Sequence, residues 1–579
     1  ISHARSGLTG ARPELIRGAL RALRRMGRIE RAEGTLLSTL ARAREQGPFC
    51  FARDWTFAEL LEWAAVHHAD KPFLEYGDSS MSFAALNQRA NRTANVLREA
   101  GVERGSGCGL FMSNHPRFLE VFFALQKLGA CAVPMHTGLV ADGLSYVLSH
   151  SRVRDVVCDH ETFPRLAQTA AAHGGRLRLW LHDDEAPSGY VRPAAALSLP
   201  SRLELDWASD PNLATVIDPA APSLLSYTSG TTGLPKAVVT PYGQQRIKSI
   251  GLLAHVLYHE RDKLYTCLPL FHANALLLTI MSALWVGIRV RLAKRFSAST
   301  FFRELAECGA TQLNTVGSMI PVLLKTPESR YDRAHRVRRV ISAACPKDAW
   351  RAFEHRFGLR IWEAYGAVDG AGVTIMNPGT GPIGSIGKLP HRTAWRLVDA
   401  EGHSVPSGQA GELWLRLRRK GQAEVRYWHD ERATREKVED GWLHTGDLMQ
   451  ADGDGYLYFV GRNTDSMRRR GENVSAFEVE RVVDAHPDVL ESAAFGVPSP
   501  LGEQDIMLSV VQVPGRTLDP RALCDYLAER LPKYALPSYL DIVDELPKTA
   551  THRVIKGVLK ERGVSASTHV LDELRAQSA

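Results

Sequence analysis

No two of the eight cysteines form a CxxC pair, and they lie scattered between Cys50 and Cys524 in a chain of 579 residues. That spacing offers neither a zinc cage nor a disulfide framework, and it suits a reducing, cytoplasmic setting. Long apolar runs are lacking as well. No stretch reaches the roughly 18 residues that a membrane span requires. The most apolar window, 275–288, is closed by Arg289 and Arg291 and reads as a buried helix. There is no internal repeat and no low-complexity tract; the Pro/Ala/Ser-rich segment 186–201 reads as a surface loop. What remains is an ordinary globular composition, 44% hydrophobic and 23% charged. The length exceeds what one hydrophobic core supports, so two or more domains are expected.

A net charge of +7 points to nucleic acid only until it is located. Residues 1–48 carry ten Arg and four Glu, a net +6, which leaves about +1 for the other residues. This argues against a nucleic-acid partner. Within the extension, Leu15, Ile16, Leu20, Leu23 and Met26 share one helical face, with arginines around them. Such a helix can lie on an anionic membrane surface or pack on the main body with solvated arginines. A transit peptide is a third reading, since Glu14 is the only acid before Glu30.

From about residue 50 onward, strand and helix signals alternate. Leu86, Ala90, Ala94 and Leu97 mark one face of a helix ahead of the apolar run 108–112. Further runs follow at 130–135, 153–158, 264–270, 312–316 and 337–343. Apolar strands separated by helices predict parallel sheet covered on both faces, here in two doubly wound layers. Between about 385 and 460 the pattern changes to short strands and turns, at 395–398, 412–417 and 456–460, and predicts a small antiparallel region. After Arg462 come basic residues, then a helix near 478–485 and a strand near 506–513. The expected class is α/β. A basic helical extension (1–48) precedes a large domain (49–462), and a small mobile α+β domain (463–579) follows, with the boundary near 462–465.

The strongest chemical signal runs from Tyr227 to Lys236, directly after the apolar pair Leu224 and Leu225. Thr228, Ser229, Gly230, Thr231, Thr232, Gly233 and Lys236 pack hydroxyls, glycines and one ammonium into ten residues. Glycine lets backbone N–H groups approach closely, so such a loop can wrap a polyphosphate. The spacing is not that of a Walker loop, whose GxxxxGK[ST] pattern is absent. On this string the chain resembles the adenylate-forming superfamily of acyl-CoA synthetases, luciferases and peptide-synthetase adenylation domains, over roughly residues 50–560. The resemblance implies that the loop holds the β- and γ-phosphates of ATP while a substrate carboxylate attacks.

Four later strings carry the resemblance further. Glu363, Ala364, Tyr365, Gly366, Ala367, Val368 and Asp369 resemble the family's YGxTE element, in which tyrosine stacks on adenine and glutamate helps hold magnesium. Here Val368 replaces the threonine, and Asp369 keeps the carboxylate on a shorter side chain. Thr228 and Asp369 are the implied Mg²⁺ ligands, and Ala344 is implied beside the nucleotide. Residues 441–448 match GWxxTGDL at every specified letter and give Asp447 to the ribose hydroxyls, where a carboxylate makes charge-assisted bonds. Arg462 is implied near the same ribose, with the family's hinge at Thr464, next to Asp465. Residues 468–475 resemble GGENI, which implies that Arg470, Gly471, Glu472 and Asn473 line the coenzyme A channel. The arginines there suit either CoA phosphates or solvent. Residues 547–556 resemble PKTxxGKxxK, with His552 for the glycine and Arg553 for the lysine that bridges carboxylate and α-phosphate. Lys556 fills the second basic position.

For the acid, His272 and Asn274 resemble the pocket entrance, and Val316, Gly317, Ser342 and Ala343 would line the acyl site. His272 reads equally as a sensor of the carboxylate and as a structural histidine. The wall residues are small and apolar, with no acid to meet an ammonium, which favours an aliphatic or fatty acyl chain. The strings at 468–475 and 268–276 are most similar to carnitine/crotonobetaine-type and fatty-acyl-CoA ligases. The implied activity is an acid:CoA ligase, using ATP, Mg²⁺ and coenzyme A. Rival readings are an acyl-AMP ligase or adenylation enzyme loading a separate carrier protein, a luciferase-like monooxygenase, and a degenerate acyl or nucleotide binder. Expected partners are a small carboxylic acid, ATP and CoA. A membrane surface at the N-terminal helix and a homodimer are further partners open to the chain.

Overall fold

The computed structural model describes residues 49–576 apart from 51, 140, 174–175, 195, 200–210, 214, 229–234, 244–245, 318, 371–373, 390–392, 400, 417–424, 463–465, 470–471, 500–503, 532–534 and 549–553. The N-terminal extension, most of the phosphate string, the hinge, Arg470, Gly471 and Arg553 therefore lie outside the described residues.

A helix, Phe57–His67, leads into β1 (Pro72–Tyr76) and β2 (Ser79–Ser82), then the predicted helix, Phe83–Glu99. That helix buries Leu86, Ala90, Ala94 and Leu97, and the Ser82 hydroxyl caps it by accepting from Ala85 N–H. Next come β3 (Gly107–Phe111), β4 (Cys131–Pro134), β5 (Asp155–Asp159), β6 (Arg178–His182) and β7 (Leu197–Ser198). With the hairpin β8 (Pro222–Thr228) and β9 (Lys236–Pro241) they form a seven-stranded sheet, in the order β7-β6-β5-β3-β4-β8-β9. All pairings in it are parallel except β8 with β9.

The second layer holds β10 (Lys263–Thr266), β11 (Arg289–Leu292), β12 (Gln312–Val316), β13 (Arg339–Ala343), β14 (Arg360–Gly366) and β15 (Thr374–Asn377). Together with β1 and β2 they make eight strands, ordered β15-β14-β13-β12-β10-β11-β1-β2, with antiparallel pairs only at the two edges. The two sheets are the two layers that the alternating pattern predicts. One large hydrophobic cluster joins them through the Pro116–Leu128 helix, which is buried along its whole length. The apolar window 275–288 is indeed buried, but not as one α-helix: Asn274–Met281 is wound as a π-helix and Ser282–Val286 as α-helix. Widened turns of this kind are frequent at functional sites.

The antiparallel region is a sheet of β16 (Ala394–Val398), β17 (Ala410–Arg416), β18 (Val438–Glu439), β19 (Trp442–Ala451) and β20 (Leu457–Arg462). It packs its own cluster around Leu413, Leu443, Met449 and Leu457. The final lobe begins with the hairpin β21 (Ser466–Arg469) and β22 (Glu472–Ser475). A four-stranded sheet follows, β23 (Val489–Pro498), β24 (Gln504–Gln512), β25 (Tyr539–Val543) and β26 (His569–Val570), backed by the helix Ala476–Asp484. No core cluster mixes described residues from before Arg462 with residues after it. The described residues of the two lobes instead meet through polar contacts and an edge-on ring pair, Phe459 with Phe477, centroids 5.8 Å apart. Lys325 Nζ donates to the carbonyls of Asp484 (3.2 Å), Val489 and Leu490 (3.2 Å), and Arg481 lies 3.9 Å from Asp348.

Candidate active site

Three of the motif strings converge. The residues flanking the phosphate string close a hairpin: Thr228 and Lys236 are register partners, and the Thr228 hydroxyl donates to the Lys236 carbonyl at 3.2 Å. Beyond β9, residues 426–428 run alongside the hairpin as an extra antiparallel edge. Val239 N–H bonds Arg426 O, and Trp428 N–H bonds Ala237 O, each at 2.8 Å. That pairing sets Tyr427 against Lys236, whose ammonium lies 5.5 Å from the ring centroid. The Tyr427 hydroxyl donates in turn to Asp369 Oδ2 at 2.6 Å. The same oxygen meets Lys437 Nζ at 2.8 Å. Burial alone would push the Asp369 carboxyl up, but the Lys437 ammonium and the Tyr427 hydroxyl outweigh it and hold the group below its ordinary value.

The nucleoside side is built on β14 and β19. Tyr365 Oη donates to Asp447 Oδ2 at 2.6 Å, joining two strings that stand 82 residues apart. Local chemistry explains the TGD turn. Gly446 takes a positive φ of 76°, its N–H bonds Glu412 Oε1 at 2.8 Å, and the Thr445 hydroxyl accepts from Asp447 N–H at 3.1 Å. Asp447 is thereby fixed at 2% exposure, in register with Arg462 on β20. Val368, where the family has a hydroxyl, packs against the apolar cluster of the small sheet.

Glu363 does not face this crevice with its carboxylate. It is buried, and it accepts backbone N–H bonds from Ala344 and from Cys345 (3.1 and 3.2 Å). Burial pushes its carboxyl up to about 8, against the pull of those N–H groups. The segment it holds is strained: Ala344 has φ of 68°, which a residue with a side chain rarely adopts. Gly317 approaches that segment so closely that a Cβ would stand 1.9 Å from the Ala344 carbonyl oxygen. Val316 and Ala343 pair across β12 and β13, and Ser342 pairs with Glu363 on β14. The candidate acyl-site residues Val316, Gly317, Ser342 and Ala343 thus cluster with Ala344 at the carboxyl ends of parallel strands, where open α/β sheets hold ligands. Asn274, at the start of the π-helix, accepts from Asn314 Nδ2 at 2.8 Å, and His272 stands near the rings of Phe271 and His136.

Among the described residues, the carboxy-terminal candidates Lys556, Glu472 and Asn473 make their contacts within the final lobe. Lys556 begins the helix Lys556–Arg562, and its ammonium is held by Glu480 Oε1 at 2.8 Å. Glu472 and Asn473 form β22 and pair with Arg469 and Arg468. Two residues that the strings did not single out join the site, Tyr427 and Lys437. Tyr427 belongs to no string. Lys437 stands five residues ahead of Trp442, a nearness that is its only signal in the sequence.

Hard oxygen donors at Asp369 and Thr228 fit a magnesium ion, which keeps waters and substrate phosphates as its remaining ligands. Asp369 Oδ2 is engaged by Tyr427 and Lys437, which leaves Oδ1 for a metal.

A family model described as AMP-binding enzyme matches residues 61–420, and one described as AMP-binding enzyme C-terminal domain matches residues 478–553. A sulfoacetate–CoA ligase from Cupriavidus necator is 32% identical over 509 residues, which cover 86% of this chain and 96% of that protein. A crotonobetaine/carnitine–CoA ligase from Salmonella paratyphi A is 29% identical over 491 residues, covering 83% and 93%. Among solved structures, an anthranilate CoA ligase in complex with anthranoyl-AMP superposes with a TM-score of 0.75 at 25% identity, covering 88% of this chain and 97% of that one.

Proposed function

The chain belongs to the AMP-binding enzyme family, and from that premise we propose that it is an ATP-dependent acid:CoA ligase. In the first step a carboxylate oxygen of the acid attacks the α-phosphorus of ATP. The bond to the bridging oxygen breaks, and pyrophosphate leaves with its electron pair. In the second step the sulfur of coenzyme A attacks the acyl carbon, AMP departs, and the thiol proton passes to solvent. The observation that carries this reading is the convergence of the phosphate hairpin, Asp369 and the Tyr365–Asp447 pair in one crevice.

Thr228, the 229–233 loop and Lys236 hold the β- and γ-phosphates. Lys236 supplies a compact positive charge that balances the leaving pyrophosphate. Asp447 receives the ribose hydroxyls, Arg462 supports them, and Tyr365 packs on the base, with Ala344, Glu363, Ala364 and Gly366 shaping that wall. Asp369 and Thr228 would hold magnesium, which when bound adds charge neutralisation at the phosphates. Residues 463–579 turn about the 462–465 linker, presenting Arg553 for the first step and the 470–473 segment to coenzyme A for the second.

The acid we assign is aliphatic, and short rather than fatty. Supporting this, the π-helix side of the acyl site carries Asn274, Asn314 and Thr279, with Asn314 and Thr279 buried and bonded to one another. The named substrates of the two curated relatives, sulfoacetate and crotonobetaine or carnitine, agree with a compact acid carrying a polar group. A panel of short, substituted, aromatic and long-chain acids, incubated with ATP and CoA and read by mass spectrometry, tests the assignment. Thioesters of short aliphatic acids are expected. Turnover confined to long-chain acids would refute the size assignment, and acyl transfer to a carrier protein but not to CoA would refute the ligase.

A further inference from the structure

Lys437 sits where the crevice needs explaining. It ends the helix Glu431–Lys437, whose start is capped by Asp430 accepting from Ala433 N–H at 2.8 Å. From there the side chain runs inward, with only 11% of it exposed. Its ammonium meets Asp369 Oδ2 at 2.8 Å and donates to the Thr445 carbonyl at 3.2 Å. Thr445 is the first residue of the TGD turn that delivers Asp447, so one lysine bridges the two halves of the nucleotide crevice. A second lysine, Lys236, lies over the Tyr427 ring, whose hydroxyl bonds the same Asp369 oxygen. The carboxylate expected to bind magnesium is therefore already neutralised by a built-in cation.

We propose that Lys437 is a resident cation of the polyphosphate site, which occupies Asp369 in opposition to magnesium and so sets how strongly the metal couples to nucleotide binding. The inference rests on the ligase reading of the crevice. Two positive groups cannot both draw fully on one carboxylate. An ammonium on Oδ2 weakens a divalent ion on Oδ1 by direct repulsion and by competing for the same negative charge. Even under water-like screening at about 6 Å, a single and a double charge repel by about 1.4 kcal/mol, a factor of about ten in affinity. In compensation, the ammonium contributes charge near the phosphates when the metal is absent, so the unaltered protein keeps appreciable affinity for metal-free nucleotide.

The test is calorimetric titration of the protein with α,β-methylene-ATP, once with excess magnesium and once with EDTA. The ratio of the two dissociation constants measures the coupling and needs no turnover. Lys437→Met is expected to raise that ratio about tenfold over the unaltered protein. Lys437→Arg, which keeps the charge, should raise it far less, and Asp369→Asn should lower it. A merely structural lysine would shift both constants together and leave the ratio alone, which would overturn the inference. A Lys437→Met protein that fails to fold hands the decision to Lys437→Arg and Asp369→Asn: a tenfold rise in the former, or an unchanged ratio in the latter, would equally overturn it. Failure of the unaltered protein to bind the nucleotide at all would instead sink the ligase reading, and this inference with it.

Discussion

Asp447 is desolvated before any nucleotide arrives, with Tyr365 as a hydroxyl donor and its own backbone N–H tied to Thr445. A buried carboxylate held this way loses little freedom on meeting two ribose hydroxyls. Asp447→Ala should weaken ATP binding by about 1.5–3 kcal/mol, a factor of roughly 10 to 150, with the fold retained. Calorimetry with ATP checks this, and unchanged affinity would remove Asp447 from the ribose. Glu363 yields a prediction about pH. Its folded value of about 8 lies above the ordinary 4.5, so between these values the folded chain keeps a proton that the unfolded chain has released. Stability should therefore fall as pH rises through that window, by at most about 1.4 kcal/mol per pH unit. Glu363→Gln should flatten the profile in chemical denaturation between pH 5 and 8; parallel profiles would contradict the assignment. Residues such as Lys236, Tyr365 and Asp447 were legible because they sit in strings whose order and letters are specific. Tyr427 and Lys437 were not, because their place depends on a strand pairing and a helix end that no short pattern encodes.

At the scale of elements, period and composition marked the parallel strands well. The run 312–316 coincides with β12, and 337–343 brackets β13, because strands buried on both faces read as continuous apolar segments. The β8–β9 hairpin was not read as strands: Leu224 and Leu225 are too short an apolar run to mark β8, and β9 follows the glycine-rich loop at once and begins on the lysine expected to bind phosphate. The π-helix escaped entirely, since an all-apolar window has no period from which to read winding. The contact between the end of β12 and the segment after β13 is the tightest element junction at the site. Gly317→Ala should force Ala344 away and cost about 1–3 kcal/mol of stability, the range for overpacking. ATP affinity should fall with it. Thermal unfolding and nucleotide titration of the variant together check this, and a protein unchanged in both would show that the junction yields freely.

Across the whole molecule, the two lobes share scattered contacts rather than a common core, among them Lys325 on the carbonyls of Asp484, Val489 and Leu490 and the Phe459–Phe477 ring pair. An interface of that kind can be exchanged for another at small cost. The proposed two-step ligase calls for such an exchange, and Lys556 is engaged by Glu480 here. If Arg553 does the work of the family's lysine, Arg553→Ala should slow adenylate formation by about 10²–10³-fold, the scale for losing one preorganised donor. Thioester formation from supplied acyl-adenylate should change little. Stopped-flow measurement of both half-reactions, with Lys556→Ala in parallel, separates the two; selective loss of adenylation in Lys556→Ala alone would move the role to that residue. Acyl-adenylate formation requires a carboxylate oxygen of the acid to attack the α-phosphorus of ATP. The decisive measurement is turnover of an acid labelled with ¹⁸O in its carboxylate, in the presence of ATP and CoA. One labelled oxygen should appear in each AMP, with an equal amount of acyl-CoA. Label in inorganic phosphate beside ADP, or AMP free of label, would contradict an acyl-adenylate mechanism.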